Sequence, residues 1–459
     1  MANSAAIKRG IRVQGESVAR PALTVLASSA IFFLISLDTL IVNVALPTIM
    51  VELGGDITTQ QWIIDGYTLA FASLLLLMGN FCDRLGARRM FAVGTAAFGA
   101  SSVFCMFATS AGMLVAGRAL LGVSAAAVLP ASMAVIREAY VDDDERARAL
   151  GIWMSGGSVA AAAGPLLGGL LTPINWSLIF AVNVPVCVAA LFLVRFIAPS
   201  PRRAVPVDLV GQVLATLGIV ALVGSIIEGG ARGYGDPLVL AMLVVGVLAL
   251  TAFVRSQAQS SHPMMPLSLF GPRGMRIALF VGFAFILSWF GTVFLCSTYL
   301  QQGLGLSPFA AGLAFVPSSV ASFVGNLASG KLTARFGARV AVVLGFSVEI
   351  VGIVGLAVLS PSLTMASAAA LLAVVGLGGS ATMPAISSVV LASAPAEQSG
   401  IASALFNTFR QVGASVGVAA FGAVVAISSS MSGALTVCFG VTAVLLAMAL
   451  LGGMGLERK

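Results

Sequence analysis

Long apolar runs separated by short polar segments recur along the whole chain of 459 residues. Each run extends over roughly 18–25 residues, which is the length of an α-helix that crosses the hydrocarbon of a bilayer. The pattern therefore predicts an all-α integral membrane protein with about fourteen transmembrane helices. The predicted helices lie near 22–46, 60–80, 90–109, 112–136, 149–171, 177–196, 208–228, 237–255, 276–299, 308–329, 340–359, 364–391, 400–426 and 432–454.

Basic residues are distributed unevenly between the two ends of these runs. If both termini lie in the cytoplasm, about 21 Lys and Arg residues fall on the cytoplasmic side, and Arg232 falls alone on the other side. The positive-inside rule therefore predicts this orientation, in a multi-pass protein of the cell inner (cytoplasmic) membrane. The first run also follows basic residues, as the apolar part of a signal peptide does. Its length, its internal Asp38 and the lack of a convincing cleavage site favour a retained helix.

The composition agrees with a membrane protein and argues against several other classes. Charged residues make up 9% of the chain and the mean hydropathy is +1.06, whereas a soluble domain has roughly 25% charged residues. The basic residues occur in short clusters between apolar runs, so the pI near 9.6 does not indicate a nucleic-acid partner. His262 is the only histidine and no CxxC pair occurs, so we expect no metal site and no disulfide framework.

A ten-residue segment is repeated in the two halves of the chain. Residues 79–88, GNFCDRLGAR, recur as residues 330–339, GKLTARFGAR, and each copy follows the second helix of its half. Two similar helical halves are typical of secondary transporters, which hold their substrate between the halves. We therefore predict, in one monomeric chain, a cytoplasmic tail at 1–21, a six-helix bundle at 22–200, a two-helix linker at 201–260, a second six-helix bundle at 261–454 and a cytoplasmic tail at 455–459.

Four further motifs accompany the repeat. The first helix contains LDTLIVNVALP at 37–47, and the fourth contains Arg118, Gly122 and Pro130. The loop after the second helix has the pattern GxxxDRxGxRR, and the fifth helix contains GPLLGG at 164–169. Together with WIIDGY at 62–67, these motifs resemble the major facilitator superfamily and, within it, the fourteen-helix drug:proton antiporter family. The run at 62–67 is most similar to exporters of the methylenomycin-resistance type.

The resemblance implies a fold of two six-helix bundles plus two linker helices, and a proton-coupled antiporter that exports drugs or other hydrophobic or cationic small molecules by alternating access. It implies that the loop motif is a conformational latch and that the GPLLGG motif limits proton leak between the halves. From the residues alone, the arginines could only fix the topology, and the small residues could only let helices pack closely. The latch residues are Gly79, Asp83, Arg84, Gly86, Arg88 and Arg89, and the antiporter-motif residues are Gly164, Pro165, Gly168 and Gly169.

Three charged residues lie inside predicted helices of the first half, namely Asp38, Asp65 and Arg118. An ionisable side chain within the hydrocarbon costs several kcal/mol unless it is paired or faces water, so each is a functional candidate. At about 1.5 Å rise per residue, all three lie roughly 8–12 Å below the outer surface. We expect them to form one proton-coupling cluster, with the proton as the coupling ion and no other cofactor. The alternatives are a static ion pair and, for Asp65, a side chain that reaches interfacial water.

Two charged residues of the second half are weaker candidates. Glu349 lies deep in the eleventh helix, which the repeat matches to a peripheral helix of the resembling fold. Arg410 lies in the middle of the thirteenth helix, where it either binds substrate or braces the two halves. Glu228 ends the seventh helix and is expected at the membrane interface.

The predicted cavity walls are apolar and aromatic, which suits lipophilic or cationic compounds when a carboxylate lies nearby. Asp38 and Asp65 would provide that carboxylate. Aromatic residues near helix ends also serve as ordinary interface anchors, so each of these residues has a second interpretation. The aromatic candidates are Trp62, Tyr67, Phe283, Phe285, Trp289 and Tyr299.

Several functions remain to be separated. An exporter dedicated to one antibiotic or metabolite would need the same cavity and the same proton-coupling residues as a multidrug exporter. A proton-symport importer is disfavoured by the GPLLGG motif. A membrane receptor or an enzyme is disfavoured by the lack of a nucleophile motif and of large loops. The chain contains no phosphate-binding GxxxxGKS/T loop, so we do not expect ATP to drive transport.

Overall fold

A computed structural model describes residues 20–202, 206–395 and 398–456, without the side chains of Asp143, Ala147, Ser158 and Ala162. These residues form helices joined by short connections, and the described part contains no strand. The predicted tails, 1–21 and 455–459, lie largely outside the described residues. The long helices are α1 (Pro21–Leu53), α2 (Ile57–Leu85), α3 (Ala87–Met106), α4 (Ala111–Ala139), α5 (Asp143–Leu171), α6 (Leu178–Phe196), α7 (Leu209–Arg232), α8 (Pro237–Gln259), α9 (Arg273–Gly303), α10 (Pro308–Phe336), α11 (Ala338–Ser362), α12 (Met365–Ser393), α13 (Ser399–Ile427) and α14 (Met431–Met454).

Thirteen of these helices are long and apolar enough to cross a membrane, and α5 is the fourteenth if its two segments count as one span. The segments Asp144–Ala161 and Ala163–Leu171 are inclined to each other by 42°. Pro165 explains a bend at this place, because it has no backbone N–H to donate to the carbonyl of Ala161. The prediction of an all-α membrane protein with about fourteen spans is confirmed.

Several helices begin before the apolar run that predicted them, because a polar residue caps the first turn. Asp56 accepts a hydrogen bond from the backbone N–H of Thr59 at 2.9 Å, so α2 starts at Ile57 rather than near residue 60. Ser110 accepts from the backbone N–H of Met113 at 3.2 Å at the start of α4. Such caps satisfy backbone donors that have no partner within the helix.

The repeat in the sequence has a counterpart in the packing of the two halves. In the first half, a Cβ added to Gly122 of α4 would lie 2.3 Å from the carbonyl oxygen of Tyr67 on α2. In the second half, a Cβ added to Gly376 of α12 would lie 2.7 Å from the carbonyl oxygen of Ser318 on α10. These residues occupy matching positions, since Gly122 and Gly376 each precede a helix proline by eight residues. Two pairs of helices therefore approach each other closely at the same level in both halves.

The linker helix α7 packs against both halves. Gln212 of α7 donates to the carbonyl of Ser73 on α2 at 2.7 Å. A Cβ added to Gly230 would lie 2.7 Å from the Cα of Ala423 on α13. α8 packs on α7 and leaves a row of apolar side chains exposed, as expected for a surface that faces lipid. The linker helix α7 therefore covers the line along which α2 and α13 meet, and α8 lies outside it.

We call the end of the molecule at which α1 begins the proximal face, and the end at which α1 finishes the distal face. Helices of the two halves are joined by hydrogen bonds on the distal side. Ser297 of α9 donates to the carbonyl of Asn43 on α1 at 3.0 Å. Gln61 of α2 donates to the carbonyl of Ala419 on α13 at 2.7 Å. The structure therefore has the two halves closed together at the distal face.

Candidate functional site

An ion pair lies inside the first half of the molecule. The guanidinium of Arg118 on α4 donates through Nη1 to Oδ2 of Asp38 on α1, and the two side chains are 1% and 0% exposed. Arg118 Nε donates to the carbonyl of Ile63 at 3.1 Å, and its guanidinium lies 4.5 Å from the ring centroid of Tyr67. The charge of Arg118 is therefore compensated by a carboxylate, a carbonyl and a ring face.

The second carboxylate oxygen of Asp38 also accepts a hydrogen bond. Asp38 Oδ1 accepts from the side-chain amide of Asn183 on α6 at 3.1 Å, and the same amide donates to Oγ of Ser102 on α3 at 3.1 Å. Asn183 was not predicted as a site residue. In the sequence, Asn183 is an uncharged polar residue within the apolar run 177–196. Such a residue can equally belong to a site or to a contact between helices.

The close approach of α4 and α2 positions this pair. Gly122 lies one turn after Arg118, and the lack of a side chain there lets α4 reach the backbone of Tyr67. Arg118 can then extend along α2 to the carbonyl of Ile63, which is already used by the helix but has a second lone pair. The spacing of Arg118 and Gly122 in the sequence thus has a direct geometric reason.

Asp65 points away from the ion pair and towards the other half of the molecule. Its Oδ1 accepts from the hydroxyl of Thr68 at 3.0 Å, and Thr68 shares a hydrogen bond of 2.6 Å with Ser415 of α13. Its Oδ2 has no hydrogen-bond partner among the described residues. Asp65 is 0% exposed, so the alternative in which it reaches interfacial water is wrong.

The structure therefore brings two of the three predicted charges into contact and separates the third. Asp38 and Arg118 form a compensated pair within one half. Asp65 accepts a hydrogen bond from Thr68, whose hydroxyl also contacts Ser415 where α2 meets α13. The predicted residues form two adjacent sites rather than one cluster, and Thr68 and Ser415 are additional residues that the sequence did not identify.

Several aromatic candidates are held by hydrogen bonds between helices. Tyr67 is buried beneath Arg118 and donates to the carbonyl of Ile35 at 3.4 Å. Trp62 donates from its indole N–H to Glu228 on α7 at 2.9 Å, and Tyr299 donates to the carbonyl of Leu363 at 3.0 Å. These contacts brace helices, so these three residues are not open cavity walls in this conformation. Trp289 is partly buried against the main core, the ring of Phe285 packs on Gly379 of α12, and the backbone of Phe283 lies close to Gly413 of α13.

Two charged residues lie within the second half. Glu349 is 0% exposed and accepts from the hydroxyl of Ser288 on α9 at 2.8 Å, so its side chain points from α11 into the bundle. Arg410 donates to Asn407 of its own helix at 3.1 Å and lies 5.8 Å from the ring centroid of Phe406. Its Nε has no partner among the described residues. These contacts of Arg410 do not join the two halves.

The loop motif lies at the proximal face, where Gly86 has a φ of +91° between α2 and α3. The backbone N–H of Arg88 donates to Oγ of Ser200, and Ser200 donates to Glu138 at the end of α4 at 2.5 Å. The motif is thus tied to α4 and to the segment after α6 through Ser200, a residue that the sequence did not single out. Arg84 and Arg89 are exposed on the same face.

The glycines of the GPLLGG motif lie where α5 contacts both halves. A Cβ added to Gly168 would lie 2.8 Å from the carbonyl oxygen of Ile41 on α1. A Cβ added to Gly169 would lie 2.8 Å from the carbonyl oxygen of Pro308, which begins α10. Any side chain at these two positions would therefore separate α5 from its neighbours, and the motif closes the distal contact between the halves.

A protein-family model matches the part of the chain that contains this site. The model of the Major Facilitator Superfamily matches residues 29–418, which include the ion pair, Asp65 and both copies of the repeat. The chain belongs to the major facilitator superfamily. This membership makes the protein a membrane transporter rather than an enzyme.

Individual members of the superfamily resemble the whole chain. The methylenomycin A resistance protein of Bacillus subtilis is 33% identical over 433 residues, which are 94% of this chain and 92% of that protein. The multidrug efflux pump LfrA of Mycolicibacterium smegmatis is 35% identical over 406 residues, or 88% and 80% of the two chains. Among solved structures, a D-xylose-proton symporter aligns with a TM-score of 0.69 and 12% identity, covering 94% of this chain and 97% of that chain. The last of these supports the fold alone.

Proposed function

We propose that this major facilitator transporter exports hydrophobic or cationic small molecules across the bacterial cytoplasmic membrane in exchange for protons, with both termini in the cytoplasm. The distal face is then the outer face. The proposal is supported by relatives named for drug efflux and antibiotic resistance that cover most of this chain. It is also supported by the lack of a phosphate-binding loop in the sequence.

The observation that carries the proton coupling is the hydrogen-bond chain Asp65–Thr68–Ser415. A carboxylate inside the membrane needs a compensating partner. Asp38 has one in Arg118, whereas the described partner of Asp65 is a hydroxyl group. Asp65 is thus a buried acid whose only described partner is uncharged, and it adjoins a contact between the two halves that we expect to loosen when the distal face opens.

The coupling follows from this placement. With a proton on Asp65, the neutral side chain tolerates the water-free contact between α2 and α13. Loss of the proton leaves a charge that only water can solvate, so separation of Thr68 from Ser415 becomes favourable. A cationic substrate that approaches Asp65 from the cytoplasmic side would promote release of the proton there. The transporter would then open outwards with its substrate and take up a proton from outside.

Asp38 and Arg118 have a supporting role in this proposal. Arg118 holds the backbone of α2 at Ile63, two residues before Asp65 in the sequence. Displacement of the ion pair would therefore be transmitted to α2. Asp38 remains a candidate for proton exchange and substrate contact, together with Trp289 on the facing half.

A narrower function is supported by one specific observation. A relative that covers 94% of this chain is named for resistance to a single antibiotic, methylenomycin A. The same site would then serve an exporter of one antibiotic or metabolite. The two alternatives differ in substrate range and not in the proposed coupling residues.

Transport into inside-out membrane vesicles tests the proposal. Ethidium, tetraphenylphosphonium and a set of antibiotics would be supplied with an imposed proton gradient, with and without an uncoupler. We expect uncoupler-sensitive uptake by the wild type and none by Asp65→Asn. Asp144→Asn changes an exposed acid at the proximal end of α5 and should transport normally. Uptake that ignores the uncoupler, or an active Asp65→Asn variant, would refute proton coupling through this residue.

A further inference from the structure

The second half of the molecule contains a buried acid that the coupling described above does not use. Glu349 lies in α11 and is 0% exposed. Its Oε1 accepts from Ser288 of α9 at 2.8 Å, and its Oε2 has no hydrogen-bond partner among the described residues. A Cβ added to Gly379 of α12 would lie 3.1 Å from Oε2. The carboxyl group is therefore enclosed by three helices and uses only one of its two oxygens.

Among the described residues, no cation pairs with this acid. α12 and α14, which pack on α11, contain no charged residue over Met365–Ser393 and Met431–Met454. The cations of α9, α10 and α11 lie near the proximal ends of these helices. Arg339 is ten residues from Glu349 along α11, or about 15 Å. The charged and titratable groups on these packed helices are Arg273, Arg276, Cys296, Tyr299, Lys331, Arg335, Arg339 and Cys438.

In the first half of the molecule, the buried acid Asp38 has a cationic partner in Arg118. Arg118 precedes Pro130 of α4 by twelve residues, and the matching position before Pro384 of α12 is Leu372. The half that contains Glu349 therefore has an apolar residue where the other half has its guanidinium. The position that matches Glu349 in α3 is Phe98, so the acid is specific to the second half.

One side of the carboxyl group is closed by a ring and not by a helix backbone. A Cβ added to Gly379 would lie 2.0 Å from the ring of Phe285, on the same side as Oε2 of Glu349. Phe285 lies three residues before Ser288 on α9 and is not completely enclosed. Because residue 379 has no side chain, the ring of Phe285 and Oε2 of Glu349 share the space beside its Cα. A change of the Phe285 rotamer would therefore alter the surroundings of this oxygen.

We propose that Glu349 is a second proton-binding site of the transport cycle, located in the second half beside Phe285. It binds a proton as a neutral carboxylic acid in the distally closed conformation and releases it during the cycle. This inference rests on the proposed proton coupling. It adds one proton for each substrate molecule to those exchanged in the first half.

Infrared difference spectroscopy of the purified full-length protein tests the site without any substrate. A protonated carboxyl group gives a C=O stretching band that an ionised one lacks. We expect the wild type to show such a band, sensitive to H/D exchange, that disappears reversibly as the pH rises. Glu349→Gln should lack this band and keep the band of the protonated Asp65. Ser288→Ala keeps the acid but removes its hydrogen bond, so the same band should move to higher frequency.

The number of protons exchanged is the second readout. In proteoliposomes, net ethidium transport stops when the ethidium gradient balances an opposing proton gradient. The size of the two gradients at this point gives the number of protons exchanged for each ethidium. We expect Glu349→Gln to lower this ratio by one and to leave transport coupled. If the wild type shows the band but does not couple ethidium to protons, the proposed function fails and the proton site stands. An unchanged ratio, or a Glu349→Gln variant that keeps every carboxyl band of the wild type, would overturn the inference.

Discussion

Asp38 and Asp65 lie in neighbouring helices of the same half, yet their surroundings differ. Asp38 has a guanidinium and an amide as partners, whereas Asp65 has a hydroxyl group that is shared with the other half. The first arrangement stabilises a permanent charge. The surroundings of Asp65 provide no cation, so the contact with the other half should depend on whether Asp65 is protonated. For this reason we assign proton coupling primarily to Asp65.

The ion pair gives a prediction at the residue scale. Arg118→Ala leaves Asp38 buried without a cation, which should destabilise the protein by about 3–5 kcal/mol. The double variant Arg118→Met/Asp38→Asn removes both charges and should recover most of this loss. Thermal unfolding in detergent measures the stability of both variants. A double variant that is no more stable than Arg118→Ala would show that the pair does not behave as a compensated unit.

Sequence reasoning found the charged residues but not their neighbours. Asp38, Asp65 and Arg118 were identifiable because a charge within an apolar run is rare. Asn183 and Ser415 were not, since uncharged polar residues are common in membrane helices. Depth along the helix could be estimated from residue number, but the direction of a side chain around the helix depends on which helices pack beside it. The sequence therefore could not show that Asp65 faces α13 rather than the ion pair, or that Glu349 faces α9.

At the scale of helices, glycine positions determine which backbones come into contact. Gly122 and Gly376 allow equivalent contacts in the two halves, and Gly168 and Gly169 allow α5 to meet α1 and α10. The repeated loop revealed the two halves in the sequence. The pairs of helices in contact could not be obtained in the same way, because a glycine does not indicate which helix it faces.

Gly122→Ala tests the contact between α4 and α2. The new methyl group would lie 2.3 Å from the carbonyl oxygen of Tyr67, so α4 must move, at a cost of about 1–3 kcal/mol. Gly112→Ala, in the same helix, meets no atom within 4 Å and is the matched control. We expect a lower unfolding temperature and slower transport for Gly122→Ala only. Equal behaviour of the two variants would argue against a close contact.

At the scale of the whole molecule, transport requires the distal contact between the halves to open and close. Thr68→Cys/Ser415→Cys places two thiols where the hydroxyl oxygens are 2.6 Å apart. A disulfide between them would fix α2 to α13 near the middle of the two helices, so oxidation should stop transport and reduction should restore it. Ser360→Cys/Thr436→Cys joins α11 and α14 within one half, where the hydroxyl oxygens are 2.5 Å apart. Transport by this control pair should not respond to oxidation.

The central claim is that the protonation state of Asp65 controls the distal contact, and a distance measured across the distal face tests it most directly. Ile57 of α2 lines a small distal cavity together with Val425 of α13, and Ile427 ends α13 with its side chain exposed. Spin labels at residues 57 and 427 would report the separation, and the five native cysteines are buried.

Loss of the proton from Asp65 at higher pH should favour opening, so we expect the distance between the labels to increase as the pH rises in the wild type. Asp65→Asn mimics the protonated acid and should keep the short distance at every pH, whereas Asp144→Asn should respond like the wild type. An Asp65→Asn variant that opens with pH as the wild type does would contradict the account.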